Sequence, residues 1–439
     1  MSLSGFPEFL PADRVVEQRV IDTLASTFEL HGFASVNTRS VEPMDQLLRK
    51  GETSKEVYVL RRLQADAEAS GDVGLGLHFD LTVPFARYVL ENAGKLQFPF
   101  RRYQIQPCWR GERPQEGRFR EFWQADIDII DRDELPAHYE VEIPLVVGEA
   151  LRALPIPAMR IHVNNRKLSQ GFFQGLGLPE PLAAVRAIDK IDKIGPSGVA
   201  AILSGELGAG DDQVKACLAL AEISSDDTSF VDAVRGIGVS DPMLDEGLDE
   251  LAAVVEAAAE RAPGLVKADM RIARGLDYYT GTVYETFMDG YERLGSVCSG
   301  GRYDNLAADG KNRFPGVGIS IGVSRILVPL IADGRLSATR QVPTCVLVAL
   351  PDNDSRGDCD RIATRLRSRG VATQVAPAPQ KYGKQIKFAE RRGIPFVLFP
   401  SQDSDAHEIR DIRSGDQSTV DVDTWVPPDA DRRARIVRG

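Results

Sequence analysis

The fold of this chain is constrained most by two alternating stretches of polar and apolar residues that flank one polar loop. Residues 101–108 and 121–130 follow a period of two, and the loop between them carries G-E-R-P-Q-E-G from Gly111. Such alternation predicts two antiparallel strands. Antiparallel strands with a long polar connection indicate an α+β core and not a doubly wound parallel sheet. Because strand residues alternate in direction, Asp126 and Asp128 should share one face of this sheet.

The patterning changes along the chain, which indicates more than one domain. At 439 residues, two or three domains are expected. Residues 166–262 are rich in alanine and helical in pattern, which predicts a helical insertion within a catalytic domain of residues 1–330. A linker at residues 331–343 should follow. Residues 344–439 alternate strands with helices and predict a small α/β domain with a mostly parallel sheet.

Composition and charge exclude several classes of protein. With 43% hydrophobic and 27% charged residues, the chain is neither disordered nor fibrous in composition. No apolar run approaches the ~18 residues of a membrane span, and the N-terminus lacks a signal pattern. We therefore expect a cytoplasmic protein without a membrane partner. The five scattered cysteines predict reduced thiols and no protein-held metal. A net charge of −11 argues against a general nucleic-acid binder, although residues 341–439 are slightly basic.

Arginines beside glycine are the strongest chemical signal. The chain has no P-loop, no G-x-G-x-x-G after a strand and no nucleophile elbow. Arginine instead recurs beside glycine and carboxylates in strand and loop contexts, at Arg110, Arg118, Arg274, Arg302 and Arg325. Several guanidinium forks on an antiparallel sheet suit a polyphosphate. Inward carboxylates on the same strands need a cation or N–H donors as partners. The residues themselves predict an ATP-using enzyme with a cationic or N–H-bearing second substrate.

Five segments make the chain similar to the class II aminoacyl-tRNA synthetases, and to the histidine-specific family among them. Residues 109–124 resemble motif 2, the strand–loop–strand that grips ATP, and residues 316–325 resemble motif 3. Residues 274–281 (R-G-L-D-Y-Y-T-G) and 300–304 (G-G-R-Y-D) resemble the histidine-specific signatures. Residues 78–84 are similar to the strand that binds the amino acid. With the insertion and the C-terminal domain, the resemblance covers nearly the whole chain.

The resemblance implies a fold, an activity and a set of partners. The fold is an antiparallel-sheet catalytic core with a helical insertion, followed by a small α/β anticodon-binding domain. A member of this family uses ATP with Mg²⁺ to convert L-histidine to histidyl-adenylate. It then transfers histidine to the 3′ end of tRNA(His), and it acts as a homodimer.

The resemblance also assigns residues to ATP and to catalysis. Arg110 is expected to hold the α-phosphate, and Arg325 the far end of the triphosphate. Arg274 should reach the α-phosphate and the substrate carboxylate, so these three arginines are the expected catalytic residues. Glu112 and Phe122 should bind adenine, by accepting a hydrogen bond from its amino group and by stacking.

A second set of residues is assigned to histidine by the same resemblance. The set consists of Asp80, Thr82, Arg110, Gln124, Asp128, Arg274, Tyr278, Tyr279 and Tyr303. Asp80, Thr82 and Gln124 should bind the α-ammonium group, whereas Asp128 and the tyrosines should read the imidazole. A neutral imidazole has one donor and one acceptor, so a carboxylate and a hydroxyl can address both.

Two alternatives stay open at this point. A non-catalytic, synthetase-like regulatory subunit of histidine biosynthesis would share the core, but such proteins usually lack the C-terminal domain and parts of the signature around Arg274. Another class II synthetase, such as the prolyl or threonyl enzyme, would lack residues 274–281 as they stand here. One departure from the family is Arg39, where motif 1 usually has proline. Motif 1 builds the dimer interface and carries no chemistry.

Arg274→Ala should abolish adenylate formation while leaving the fold intact. The substitution removes a donor aimed at charge that grows in the transition state, which reduces the rate by ~10²–10³-fold. Histidine-dependent ATP–pyrophosphate exchange measures the loss, with circular dichroism as the check on folding. Exchange at the wild-type rate would contradict the assignment.

Overall fold

The computed structural model describes residues 3–48, 56–62, 74–272, 278–401 and 404–439. The chain divides into two compact units, of which the first contains Met1–Pro7 and Ile21–Pro329. The second contains Glu8–Val20 and Leu330–Gly439. No local pattern predicts that Glu8–Val20 groups with the second unit. Within the described ranges, no helix is both long and apolar enough to cross a membrane.

Helices and strands alternate irregularly up to residue 332. The helices are α1 (Pro11–Leu30), α2 (Met44–Leu47), α3 (Thr82–Asn92), α4 (His138–Arg152), α5 (Arg166–Gly175), α6 (Pro181–Ile188), α7 (Ile191–Gly205), α8 (Asp211–Glu222), α9 (Phe230–Arg235), α10 (Pro242–Arg261) and α11 (Val323–Ala332). The strands are β1 (Ala34–Ser35), β2 (Val41–Pro43), β3 (Val59–Leu60), β4 (Leu75–Leu77), β5 (Phe100–Trp109), β6 (Glu121–Ile130), β7 (Met159–Asn165), β8 (Ser224–Ser225), β9 (Val266–Asp269), β10 (Thr282–Met288), β11 (Cys298–Ala308) and β12 (Arg313–Gly322).

The first unit is built on a nine-stranded sheet. Its strand order is β1-β5-β6-β12-β11-β10-β7-β9-β8. In the described part of this sheet, only the β1–β5 and β7–β9 pairs are parallel. The predicted α+β fold with an antiparallel core sheet is confirmed. Strands β5 and β6 pair without a shift from Phe100↔Ile130 to Trp109↔Glu121, as their alternation predicts. Strands β2, β4 and β3 form a separate small sheet.

From Gln124 to Ile129, strand β6 alternates between a polar and an apolar face. Ala125, Ile127 and Ile129 are completely buried on one face. Since strand residues alternate, Asp126 and Asp128 share the other face, and both are buried as well. This confirms the predicted shared face and places two carboxylates inside the protein.

The helical insertion is formed by α5 to α10. On α10 the sequence spacing of Leu244, Leu248, Leu251 and Val255 forms one apolar stripe, and the structure buries it. Helix α10 crosses α5 closely at Gly247, where a Cβ would lie 2.1 Å from the backbone nitrogen of Leu168. The small residue is therefore required by the crossing.

Residues 75–83 alternate in the sequence and so predict a strand, from which the structure differs. Only Leu75–Leu77 is extended, and helix α3 begins at Thr82. Asp80 Oδ1 accepts a hydrogen bond from the Val83 backbone nitrogen at 3.1 Å. A side-chain acceptor at this position satisfies an N–H group of the first helical turn, so the helix replaces the strand.

The second unit has a five-stranded sheet. Its elements are β13 (Leu336–Ala338), β14 (Val346–Val348), α12 (Arg356–Ser368), β15 (Thr373–Val375), α13 (Tyr382–Arg392), β16 (Phe396–Phe399), β17 (Ala406–Asp411), β18 (Gln417–Asp421), α14 (Asp429–Arg432) and β19 (Ile436–Arg438). The sheet order is β15-β14-β16-β17-β18. Strands β15, β14 and β16 are parallel, whereas β17 and β18 add an antiparallel hairpin. The three parallel strands agree with the predicted mostly parallel sheet, whereas the antiparallel pair β17 and β18 is not predicted, because β18 is polar and exposed and shows no apolar face in its sequence.

Candidate functional site

A pocket with a cavity volume of about 140 Å³ opens beside β6 and β12 in the first unit. It is lined by Arg110, Glu112, Gly117, Arg118, Phe119, Phe122, Gln124, Ser296, Val297, Ser299, Ser320, Gly322 and Arg325. All four residues predicted to bind ATP are in this lining, and Gln124 of the histidine set joins them. Arginine is the main charged residue type around the pocket, which gives it an anion-binding character.

Arg110 and Phe122 lie against each other in this pocket. The guanidinium carbon of Arg110 is 4.9 Å from the centroid of the Phe122 ring. Arg110 Nε donates to the Phe79 carbonyl oxygen at 3.0 Å. The ring contact and the hydrogen bond together hold the guanidinium plane in one orientation.

Glu112 and Arg325 approach the pocket from other segments. Glu112 accepts from Arg118 Nη1 at 3.1 Å, so its carboxylate is engaged with a cation in this structure. Arg325, in the first turn of α11, donates through Nη2 to the Leu294 carbonyl oxygen. Gly117 turns the intervening loop with a φ of 68°, a value that disfavours residues with a Cβ.

Asp128 is held by two donors at the other end of the same face. Arg102 Nη2 lies 2.7 Å from one carboxylate oxygen, and the Tyr303 hydroxyl donates to the other at 2.8 Å. Arg102 is completely buried, and its guanidinium lies 4.2 Å from the Phe85 ring centroid. Sequence reasoning missed Arg102. The available signal was the strand register, since Arg102 pairs directly with Asp128 across β5 and β6.

Two glycines of β12 make room for this cluster. Gly318 pairs with Asp128, and a Cβ there would lie 2.1 Å from Asp128 Oδ1. Gly316 pairs with Tyr303, and a Cβ would lie 2.7 Å from its ring. The alternating glycines of the motif 3 segment are therefore explained by close approach of these side chains.

Asp126 is a buried carboxylate between Gln124 and Asp128 on the same face. It is 1% exposed, and its nearest cation is Arg102 Nη2 at 3.9 Å. Burial raises the pKa of Asp126 from 3.8 to about 7, an effect opposed by Arg102 and reinforced by the neighbouring Asp128 charge. One guanidinium is therefore shared by two carboxylates.

Three tyrosines gather around the carboxylates. The hydroxyls of Tyr278 and Tyr279 are 3.2 Å apart, and the Tyr278 ring meets the Tyr303 ring edge to face at 6.3 Å. Burial raises the pKa of the Tyr278 and Tyr303 hydroxyls well above their usual range. Both hydroxyls are therefore neutral donors at physiological pH.

The predicted α-ammonium ligands lie near the same cluster. Asp80 is buried and close enough to Tyr278 to raise the pKa of its hydroxyl. Thr82 is half-buried in the first turn of α3. Gln124 is buried, and its Oε1 has no hydrogen-bond donor among the described residues. Arg274 lies outside the described residues. The structure thus brings Asp80, Asp128 and the three tyrosines together near one face of the sheet, with Gln124 and Arg110 at the arginine-lined pocket and Thr82 two residues after Asp80.

Comparison with known proteins gives a consistent result over the whole chain. The sequence model of the family described as "Histidyl-tRNA synthetase" matches residues 5–326, and that of the "Anticodon binding domain" matches residues 344–427. A histidine–tRNA ligase of Cutibacterium acnes is 56% identical, covering 99% of this chain and 98% of the relative. One of Micrococcus luteus is 53% identical over 100% and 98%. The crystal structure of histidyl-tRNA synthetase from Nostoc sp. PCC 7120 has a TM-score of 0.85 at 31% identity, covering 96% and 97%.

Asp126→Asn should change the pH dependence of stability. With a folded-state pKa of about 7, the protonated carboxyl stabilises the fold at low pH, and this contribution is lost as pH rises from 3.8 through about 7. Asparagine is neutral at every pH, so the melting temperature of the variant relative to wild type should rise between pH 5 and pH 8. Thermal unfolding at both pH values measures this, with the exposed Asp249→Asn as control. A difference that is the same at both pH values would contradict the prediction.

Proposed function

The chain belongs to the histidyl-tRNA synthetase family, whose members are histidine–tRNA ligases, and we propose how its own residues carry out that reaction. The histidine carboxylate is first joined to the α-phosphate of ATP, which gives histidyl-adenylate and releases pyrophosphate. A hydroxyl at the 3′ end of tRNA(His) then attacks the adenylate carbonyl, which forms the ester and releases AMP. The observation that supports the assignment best is strand β6 itself. Its one polar face runs from Gln124, in the arginine-lined pocket, to Asp128 in the tyrosine cluster.

The arginine-lined pocket is the proposed ATP site. Arg110 supplies an oriented cation for the α-phosphate, and Arg325 supplies one for the far end of the triphosphate. Phe122 offers a flat apolar face for adenine, and Glu112 would exchange its bond with Arg118 for one with the adenine amino group. Charge grows on the α-phosphate as the histidine carboxylate attacks, so Arg110 and Arg274 would stabilise the transition state more than the ground state.

Mg²⁺ is proposed to accompany ATP. No group of three or more metal-ligating side chains occurs in the part of the chain that the structure describes. The pocket lining is dominated by arginine, and Glu112 is its one carboxylate among the described residues. Such a set suits phosphate oxygens, and Mg²⁺ commonly takes its ligands from phosphates and water. The ion would neutralise triphosphate charge while the arginines hold the phosphates.

The carboxylate–tyrosine cluster is the proposed histidine site. Asp80, Thr82 and Gln124 present oxygen acceptors to the α-ammonium group. Asp128 would accept from the imidazole N–H group, and a neutral tyrosine hydroxyl would donate to the other ring nitrogen. An apolar side chain in this site would leave buried polar groups unpaired, which gives strong discrimination.

The second unit is proposed to bind the anticodon arm of tRNA(His). It contains the match to the anticodon-binding domain. Helix α13 buries Gln385 and Ala389, whereas Lys384, Lys387 and Arg391 are exposed along it. Exposed cations at this spacing suit phosphate contacts, which supply affinity without reading bases.

We also propose a homodimer that works in the cytoplasm, as the family resemblance implies. The regulatory-subunit alternative is supported less well than the ligase, because the relatives that span nearly the whole chain are named histidine–tRNA ligases. The anticodon-binding match, which such a subunit would not need, points the same way.

Asp128→Asn should raise the KM for histidine at least tenfold and leave the KM for ATP nearly unchanged. The substitution removes the charge but keeps the side-chain volume and an oxygen acceptor for Arg102, with Asp126 still nearby, whereas Asp128→Ala would remove the whole contact and destabilise the protein by ~3–5 kcal/mol. Pyrophosphate exchange at varied histidine and at varied ATP measures both constants. Glu112→Gln is the matched control and should affect ATP instead. An equal effect of Asp128→Asn on both substrates would contradict the assignment.

Reversing three charges on α13, as K384E, K387E and R391E together, should raise the KM for tRNA in aminoacylation. Each cation that contacts a phosphate releases about one counterion. Each of the three that does so should therefore, when reversed, lower the steepness of log affinity plotted against log salt by about 1. Pyrophosphate exchange without tRNA should be unchanged. Lys215→Glu on α8 controls for a charge reversal at an exposed lysine outside this helix and should leave the KM for tRNA unchanged. An unchanged KM for tRNA would show that this helix does not bind tRNA.

A further inference from the structure

The segment that carries the tyrosine pair is fixed immediately after it. Tyr278 and Tyr279 are followed by Thr280, Gly281 and Thr282, and each of these three residues makes at least one hydrogen bond with another part of the first unit. The Tyr279 ring also packs closely against Gly301, where an added Cβ would lie only 2.8 Å from a ring carbon. The position of the tyrosines therefore depends on what holds these three residues.

Glu140, in the first turn of α4, binds this segment directly. Its side chain is 4% exposed. One carboxylate oxygen accepts from the Thr282 backbone nitrogen at 3.1 Å, and the other accepts from Arg302 Nη1 at 2.8 Å. The Glu140 carbonyl oxygen accepts from the hydroxyl of Tyr284, which is completely buried. The carboxylate and the backbone carbonyl of Glu140 are thus both hydrogen-bonded to residues of the core sheet.

Arg302 connects Glu140 to Thr280, the first of these three residues. Its Nε donates to Asp304 Oδ1 at 3.1 Å, and the Thr280 hydroxyl donates to Asp304 Oδ2 at 2.5 Å. The Thr280 backbone nitrogen donates to the Arg302 carbonyl oxygen at 2.9 Å. Glu140, Arg302 and Asp304 therefore form one charged chain that binds Thr280 at one end and Thr282 at the other.

The middle of the segment fits tightly against the same side chains. A Cβ at Gly281 would lie 2.8 Å from Arg302 Cδ and 3.3 Å from Glu140 Oε2. The Gly281 carbonyl oxygen accepts from the Arg166 backbone nitrogen at 2.9 Å. The segment is consequently confined on several sides, directly after the two tyrosines.

We propose that Glu140 is a positioning residue for histidine selection, which acts through Arg302 and Thr282 to hold the Tyr278–Tyr279 pair beside Asp128. This inference rests on the proposed histidine site. Among the described residues of the predicted substrate-binding set, Glu140 contacts none, so its effect is on the placement of hydroxyls and not on charge at the reacting atoms. Small displacements of hydrogen-bonding groups reduce binding of the group they recognise.

Glu140→Gln tests the proposal in the full-length protein. Glutamine keeps the size and one acceptor but loses the charge that pairs with Arg302. Since a hydrogen bond to a charged group is weakened, we expect the KM for histidine to rise about tenfold. The KM for ATP and the rate at saturating histidine should change little. Discrimination between histidine and the ring-altered analogue 1,2,4-triazole-3-alanine should fall.

Two further variants keep the test informative. Glu142→Gln alters the same helix at a partly exposed residue that pairs with Arg101, and it should leave the KM for histidine unchanged. Thr280→Val removes the hydroxyl at the other end of the chain without leaving Arg302 unpaired. It should raise the KM for histidine in the same direction, even if Glu140→Gln folds poorly.

The outcomes separate this inference from the proposed function. A higher KM for histidine in Asp128→Asn but in neither Glu140→Gln nor Thr280→Val would overturn the positioning role and leave the histidine site intact. Equal losses toward ATP and histidine with a lower melting temperature would reduce Glu140 to a structural residue and overturn the proposal. No effect from any of the variants, Asp128→Asn included, would overturn the histidine site itself.

Discussion

The architecture of the first unit is organised around a buried ion pair, in which Arg102 on β5 lies 2.7 Å from Asp128 on β6. Both side chains are shielded from water, and a buried charge is costly unless it is paired. Such a pair adds little net stability over well-packed apolar residues, but removal of one partner leaves an uncompensated charge. The main effect of this ion pair is on side-chain geometry. It holds the Asp128 carboxylate in one orientation, with the second oxygen accepting from Tyr303.

Strand register arranges the rest of the proposed site around this carboxylate. Gly318 and Gly316 stand opposite Asp128 and Tyr303, where larger residues would displace both side chains. Because strand side chains alternate, Gln124 lies on the same face of β6 as Asp128, and it lines the arginine pocket. One rigid strand therefore connects the two proposed substrate sites, which suits a reaction in which a carboxylate must meet a phosphate in a defined geometry.

Several elements could be predicted from the sequence because periodicity is a local property. The β5–β6 hairpin and the apolar stripe of α10 are examples. The alternation predicts a strand where α3 begins, because a period of two does not register the local helix-start signal that Asp80 gives to the Val83 nitrogen three positions later. The grouping of Glu8–Val20 with the second unit also depends on distant residues, as in the 2.9 Å hydrogen bond from Arg19 to the Ala434 carbonyl oxygen.

The sequence by itself determined the residue types proposed to meet the substrates and, through its motifs, the family to which the chain belongs. The ATP set and most of the histidine set could be named because they lie in segments with characteristic residues. Only the tertiary structure decided which side chains hold those residues in place. Arg102 and Glu140 belong to no motif, and Glu140 meets Arg302 across 162 positions of the chain. Such partners are brought together by strand pairing and by helix packing, which join residues that are separated in the chain and share no motif.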